Sequence, residues 1–312
     1  MKDIETESVG EANSRSKALN LELDATSHSA ITPEQSVTGD ELLVIVPPSG
    51  WISINWIEIW RFRELLYFLA WRDIKVRYKQ TVMGAAWAVL QPFMTMIVFT
   101  IFFGRLGGLD TKTGGAPYPI YVYAGLLPWT FFANTISTAS LALVTNANLI
   151  TKVYFPRMLL PLATAGVALV DLAVSFGVLF VMMGYYHTGV TLHVLLVPAL
   201  LASTVLVATG VGLILSALTV AYRDFRYVVP FLVQIWMFAT PVIYPSSIIP
   251  VRFRWALSLN PMAGLIDGFR AAFLNRPIVW SSIYASTAIS FVTFIIGASY
   301  FRHVERRFSD II

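Results

Sequence analysis

The chain has 312 residues, of which 56% are hydrophobic and 13% charged, with mean hydropathy +0.67 and a pI near 9.3. Ordinary soluble domains carry about a quarter charged residues, so this composition excludes a water-surrounded globule and places the chain in a bilayer. The absence of cysteine excludes thiol chemistry, zinc–thiolate sites and disulfides.

Residues 1–50 differ from everything after them. They hold nine of the 18 acids against Lys2, Arg15 and Lys17 as the only bases, and are rich in Ser and Thr with few aromatics. This composition predicts a disordered acidic tail, with no apolar core of the kind a signal peptide needs. The basic excess lies in the rest of the chain and is read as membrane topology, not as nucleic-acid binding.

Residues 51–80, "WISINWIEIWRFRELLYFLAWRDIKVRYKQ", predict an amphipathic interface helix. At 100° per residue Arg61, Glu64, Arg72, Lys75 and Lys79 share one stripe, and Ile59, Phe62, Leu66 and Leu69 share another. Trp51, Trp56, Trp60 and Trp71 suit headgroup level. Arg63 and Arg77 fall on the apolar side, which a kink near Trp71 would relieve, and Asp73 with Arg77 forms an i,i+4 pair.

Beyond this segment the chain is punctuated by charge-free runs of 25, 39, 51, 25 and 25 residues. A membrane-spanning helix needs about 20 apolar residues. Cut at their turn signals, the runs predict six spans: Met83–Phe103, Tyr118–Val144, Leu159–Met183, Val194–Ala217, Val228–Tyr244 and Ile278–Phe301. Pro128 lies inside the second and requires neighbours to satisfy the backbone it frees. With an inside N-terminus, 13 Lys and Arg fall in cytoplasmic segments and six in outer loops, which places both termini, including the short C-terminal end of the 81–312 unit, in the cytoplasm.

No catalytic constellation emerges. His28, His187, His193 and His303 are scattered, and the two that share a loop lack a carboxylate neighbour, a poor metal site. No glycine-rich phosphate loop occurs, so ATP chemistry would belong to another chain. Two inner loops stand out, "TNANLITKVYFPRMLLP" with Lys152, Tyr154 and Arg157, and "TVAYRDFRYVVP" with Arg223, Asp224 and Arg226. Both are short and basic; they read equally as positive-inside turns and as knobs that a cytoplasmic protein could grip. The outer stretch Pro245 to Pro277 is too apolar for a free loop and predicts short helices that re-enter the membrane or cover its exit. Asp171 falls near the middle of the third span, where a carboxylate must face the bundle and most simply locks helices together.

The runs "RDIKVRYKQTVMGAAWAVLQPFM", "ITKVYFPRMLLP", "YRDFRY" and "LNPMAGLIDGFR", in this order and spacing, resemble the ABC type-2 permeases of bacterial polysaccharide exporters. The resemblance covers about Trp60 to Arg307 and leaves out the acidic tail. It implies an all-α polytopic membrane protein without an ATPase or other active site of its own. It also implies a homodimer that pairs with two copies of a separate ATP-binding subunit holding ATP and Mg. The substrate class it implies is a lipid-linked polysaccharide, O-antigen or capsule, crossing the bacterial inner membrane.

Carried onto this chain, the resemblance makes Lys152, Tyr154, Arg157, Arg223, Asp224 and Arg226 the ATPase-coupling residues. Trp87, Phe93, Trp129, Phe132 and Trp236 become candidates for aromatic rungs on which sugar rings slide. Alternatives are an exporter of teichoic acid or another lipid-linked substrate, a membrane-embedded glycosyl- or acyltransferase, whose first outer loop would offer only Asp110, and a proton-coupled carrier, whose only support is Asp171.

Overall fold

The computed structural model describes residues 56–79 and 84–305, and every regular element among them is helical. The expectations for the acidic tail, for Trp51, for the Trp56 side chain and for residues 306–312 lie outside the described residues. Two short helices, α1 (Trp56–Arg61) and α2 (Arg63–Lys79), are separated only at Phe62. Helical hydrogen bonds continue across that residue, and α2 runs unbroken through Trp71, where a kink was expected.

The first expected span is α3 (Gly84–Phe99) continued by a π-helical stretch, Thr100–Leu106. Then follow α4 (Tyr118–Thr145), the single turn α5 (Ala147–Ile150), α6 (Leu159–Tyr185), α7 (Val197–Ala221) and α8 (Phe225–Ala239). The chain closes with α9 (Arg254–Ser258), α10 (Pro261–Phe273) and α11 (Trp280–Glu305).

Four helical stretches, Ala86–Leu106, Leu159–Tyr185, Leu192–Ala221 and Trp280–Glu305, are long and apolar enough to cross a membrane. The other two expected spans depart from that standard for different reasons. Helix α4 has 28 residues, ample for a bilayer, but is buried without interruption from Ile120 to Trp129. A helix sheathed by protein needs less apolarity than one facing lipid. Helix α8 has only 15 residues, since the chain turns extended at Thr240 ahead of Pro241, short of the expected end at Tyr244.

Side-chain pairings fix the running directions. Ser203 meets Thr287, and Gly210 meets Phe294 and Gly297, so α7 and α11 run in the same sense. Their backbones touch at Gly210 and Gly297, where a Cβ on Gly297 would collide with the Gly210 carbonyl oxygen. Tyr123 near the start of α4 donates to the carbonyl of Ser175 in the second half of α6, while Leu143 and Leu159 share a cluster, so these two are antiparallel. Helix α8 opposes α4, since its end packs Trp236 on Phe132 and leads to Val242 at the Arg270 site beside Tyr121.

The loops around Arg157 and Arg223 and the end of α11 therefore emerge at one end of the bundle, called here the basic end. The 107–117, 186–196 and 240–279 connections lie at the other. A small apolar cluster with Leu69, Leu143, Phe155, Leu159 and Phe301 closes the basic end. A larger one, built around the first half of α4 and α10, fills the rest.

Candidate functional site

At the basic end, the loop after α4 has a tip and a base. Thr151 to Tyr154 are exposed, whereas Phe155 and Pro156 are buried against the small cluster. Arg157 is half-buried, and its backbone N–H, just ahead of α6, donates to Glu305 Oε1 at 3.1 Å. Arg302 sits between two carboxylates, 2.8 Å from Glu58 of α1 and 3.7 Å from Glu305. At the start of the same loop Arg72 of α2 donates to the Asn146 side chain at 3.0 Å. In the second basic loop Arg223 and Asp224 are exposed, and Arg226, expected in that loop, is exposed in the first turn of α8.

Helix α2 lies along α6 and advances in the same sense, with Ala70 against Gly166 and, further on, Arg77 and Tyr78 against Asp171. Asp171 is buried; Tyr78 donates to its Oδ1 at 2.6 Å, and Arg77 lies 2.8 Å from its Oδ2. The Arg77 contact falls outside hydrogen-bonding alignment and acts as a charge pair. Arg77, the misfit on the apolar side of its helix, faces that way because its counter-ion does. Asp73, expected to pair with Arg77, bonds Arg72 at 2.8 Å instead.

The five aromatics singled out in the sequence fall into separate environments. Trp87 is exposed on α3 and Phe93 is half-buried. Trp129 and Phe132 are covered by the chain's own side chains, with centroids 5.5 Å apart, and Phe132 meets half-buried Trp236 edge-on at 5.0 Å. In this conformation Trp129 and Phe132 form part of the core, and Trp87 alone of the five presents an open surface.

The opposite end is organised by a residue that sequence reasoning counted only as an outer-loop charge. Arg270 is 1% exposed, yet each of its three guanidinium nitrogens has an acceptor. It donates to the carbonyls of Tyr121 at 3.2 Å, Pro241 at 2.7 Å and Val242 at 2.5 Å, and stacks 3.9 Å from the Tyr121 ring centroid. The fork fits because residue 125 is glycine, where a Cβ would lie 2.6 Å from Nη2.

Ten residues earlier, Asn260 caps α10 by accepting the Met262 N–H, with Pro261 at the first helical position. The same side chain accepts from Trp236 and donates to Thr240, which ties α10 to the end of α8. Gly264 and Gly268 admit Ser282 and Leu200, so "NPMAGLIDGFR" reads as one packing device. Its legible signals were the Asn-Pro cap and the four-residue glycine spacing.

Beside α10 opens a cleft of about 960 Å³, walled by Asp267, Arg276, Tyr186 and Ser282 among others. Burial holds the Tyr186 phenol above its ordinary pKa.

Residues 64–274 match the family described as ABC-2 type transporter. The chain belongs to that family. The ABC-2 match begins in α2, ends one residue past α10, and so includes both basic loops, Asp171 and the Arg270 clamp.

Among curated proteins, the O-antigen export system permease protein RfbA of Myxococcus xanthus is 29% identical over 258 residues, covering 82% of this chain and 98% of that protein. The RfbA permease of Klebsiella pneumoniae is 26% identical over 80% of this chain and 95% of its own length. The polysialic acid transport protein KpsM of Escherichia coli is 22% identical over 75% of this chain and 91% of its own.

Proposed function

We propose that this chain is the permease subunit of an ATP-driven exporter that moves a lipid-linked polysaccharide of O-antigen or capsule type across the bacterial inner membrane. The observation that carries this reading is the likeness to O-antigen export permeases along nearly their whole length. The sequence supports the division of labour, since it contains no phosphate loop. ATP and Mg bind to a separate ATP-binding subunit, present in two copies against a homodimer of this chain. Both termini are cytoplasmic, and α3, α4, α6, α7, α8 and α11 are the six spans.

In this reading the exposed tip Lys152–Tyr154, with Arg157 at its base, and the neighbouring Arg223, Asp224 and Arg226 receive the ATP-binding subunit. The alternating helix directions support that role, for they bring both loops to one end. The polymer passes between the two permeases. Flat C–H faces of sugar rings slide over aromatic rings without demanding one sequence, which suits Trp87 on its open face. Helix α10, buried on every residue from Pro261 to Phe273 except Asp267, is the re-entrant element at the exit.

Deleting the gene removes the polymer from the cell surface and leaves it inside, and the wild-type gene restores display. Purified permease alone hydrolyses no ATP and supports hydrolysis only with its ATP-binding subunit. Unaided hydrolysis, or normal surface polymer in the deletion strain, overturns the proposal.

A further inference from the structure

Four charged residues from distant parts of the sequence meet at the basic end. Glu58 belongs to α1, Arg157 to the base of the loop after α4, and Arg302 and Glu305 to the last turn of α11. Glu305 uses one oxygen for the Arg157 N–H at 3.1 Å and turns the other toward Arg302 at 3.7 Å. Arg302 in turn holds Glu58 at 2.8 Å. The Arg157 N–H lies just before α6, in a region where backbone donors lack helical partners, and a carboxylate is the favoured acceptor there.

Directly beneath, Phe155 and Phe301 share the small apolar cluster. The loop therefore has a rigid base and an exposed tip only three residues away at Lys152 to Tyr154.

We propose that Glu305 is the positioning residue of this loop, clamping its base to α11 and, through Arg302 and Glu58, to α1. This rests on the reading of the loop as the contact with the ATP-binding subunit. A push on the tip is then delivered to α1, α6 and α11 together, instead of being absorbed by bending of the loop. Glu305 touches neither polymer nor nucleotide and acts through the Arg157 backbone. A chain of contacts becomes a coupling route only when both of its ends respond to its removal, so the test reads both.

The first arm uses the purified permease without its ATP-binding subunit and follows trypsin cleavage after Lys152 by mass spectrometry. Glu305→Ala removes both oxygens and raises the cleavage rate about twofold to thirtyfold, the range of effects reported along coupled networks. Glu305→Gln keeps an acceptor for the Arg157 N–H and lies between Ala and wild type. Unchanged cleavage in Glu305→Ala overturns the clamp.

The second arm assembles the same variants with the ATP-binding subunit and compares surface polymer with MgATP hydrolysis. Export per ATP falls in Glu305→Ala while hydrolysis and assembly persist, and Glu305→Gln recovers part of it. Faster cleavage with an unchanged export ratio would keep the anchor but remove the loop from coupling, overturning the proposed contact with the ATP-binding subunit and not the exporter assignment. If neither variant assembles, Glu305 is a stabilising group only, and the positioning role is overturned.

Discussion

Arg77, near the end of α2, lies 2.8 Å from Asp171 in the interior of α6, and the intervening sequence includes α3, α4 and α5. The relationship binds α2 to α6. It is asymmetric, since the Asp171 side chain is 8% exposed and that of Arg77 36%.

That asymmetry sets the outcome of mutation. Removing one partner of a fully buried pair costs about 3 to 5 kcal/mol, and partial exposure of Arg77 reduces the figure here. Asp171→Asn keeps an acceptor for Tyr78 and should lower the apparent melting temperature of detergent-solubilised permease, read by circular dichroism. Adding Arg77→Gln should cost less than it does alone, because the charge pair is already broken. A double variant as unstable as the sum of the single ones would show that the two groups act independently.

Arg270 should tolerate no replacement. Lysine cannot reproduce a fork serving the carbonyls of Tyr121, Pro241 and Val242, and each buried acceptor left unpaired costs about 1 to 3 kcal/mol. Arg270→Lys and Arg270→Met are expected to reduce membrane abundance on immunoblots severely. Gly125→Ala, which intrudes on the same guanidinium, should do so to a smaller degree.

The crossing of α7 and α11 depends on Gly210 and Gly297. Here the obstacle to a Cβ is backbone, which cannot rotate away as a side-chain tip can. Gly297→Ala should cost about 1 to 3 kcal/mol or more through overpacking. Gly177→Ala, with nothing within 4 Å of its added Cβ, is the matched control and should leave thermal stability unchanged.

Aromatic substitutions should separate core from polymer path. Phe132→Ala opens a cavity and is expected to cost about 3 to 5 kcal/mol, lowering abundance along with export. Trp87→Ala removes an exposed ring and should leave abundance intact while reducing surface polymer. Equal export per molecule in the Trp87 variant and wild type would exclude Trp87 from the path.

Sequence alone located the helices, because a bilayer makes long charge-free runs costly to interrupt and rewards charges at their ends. Leu159 and Tyr118 begin α6 and α4 as expected, and the two basic loops fall between helices where the charges predicted them. The sequence also marked Asp171 and Arg77 as misfits, each charged where its surroundings are apolar.

That these two are each other's solution depends on which helices lie side by side, which hydropathy does not encode, since every apolar helix satisfies the same composition rule. The same limit hid Arg270 among the outer-loop cations, counted Arg302 only as a cytoplasmic charge, and left Glu58 and Glu305 unremarked. Their roles are set by distances across the bundle, and only packing decides whether a charge at a helix end faces water or a carboxylate more than 200 residues away.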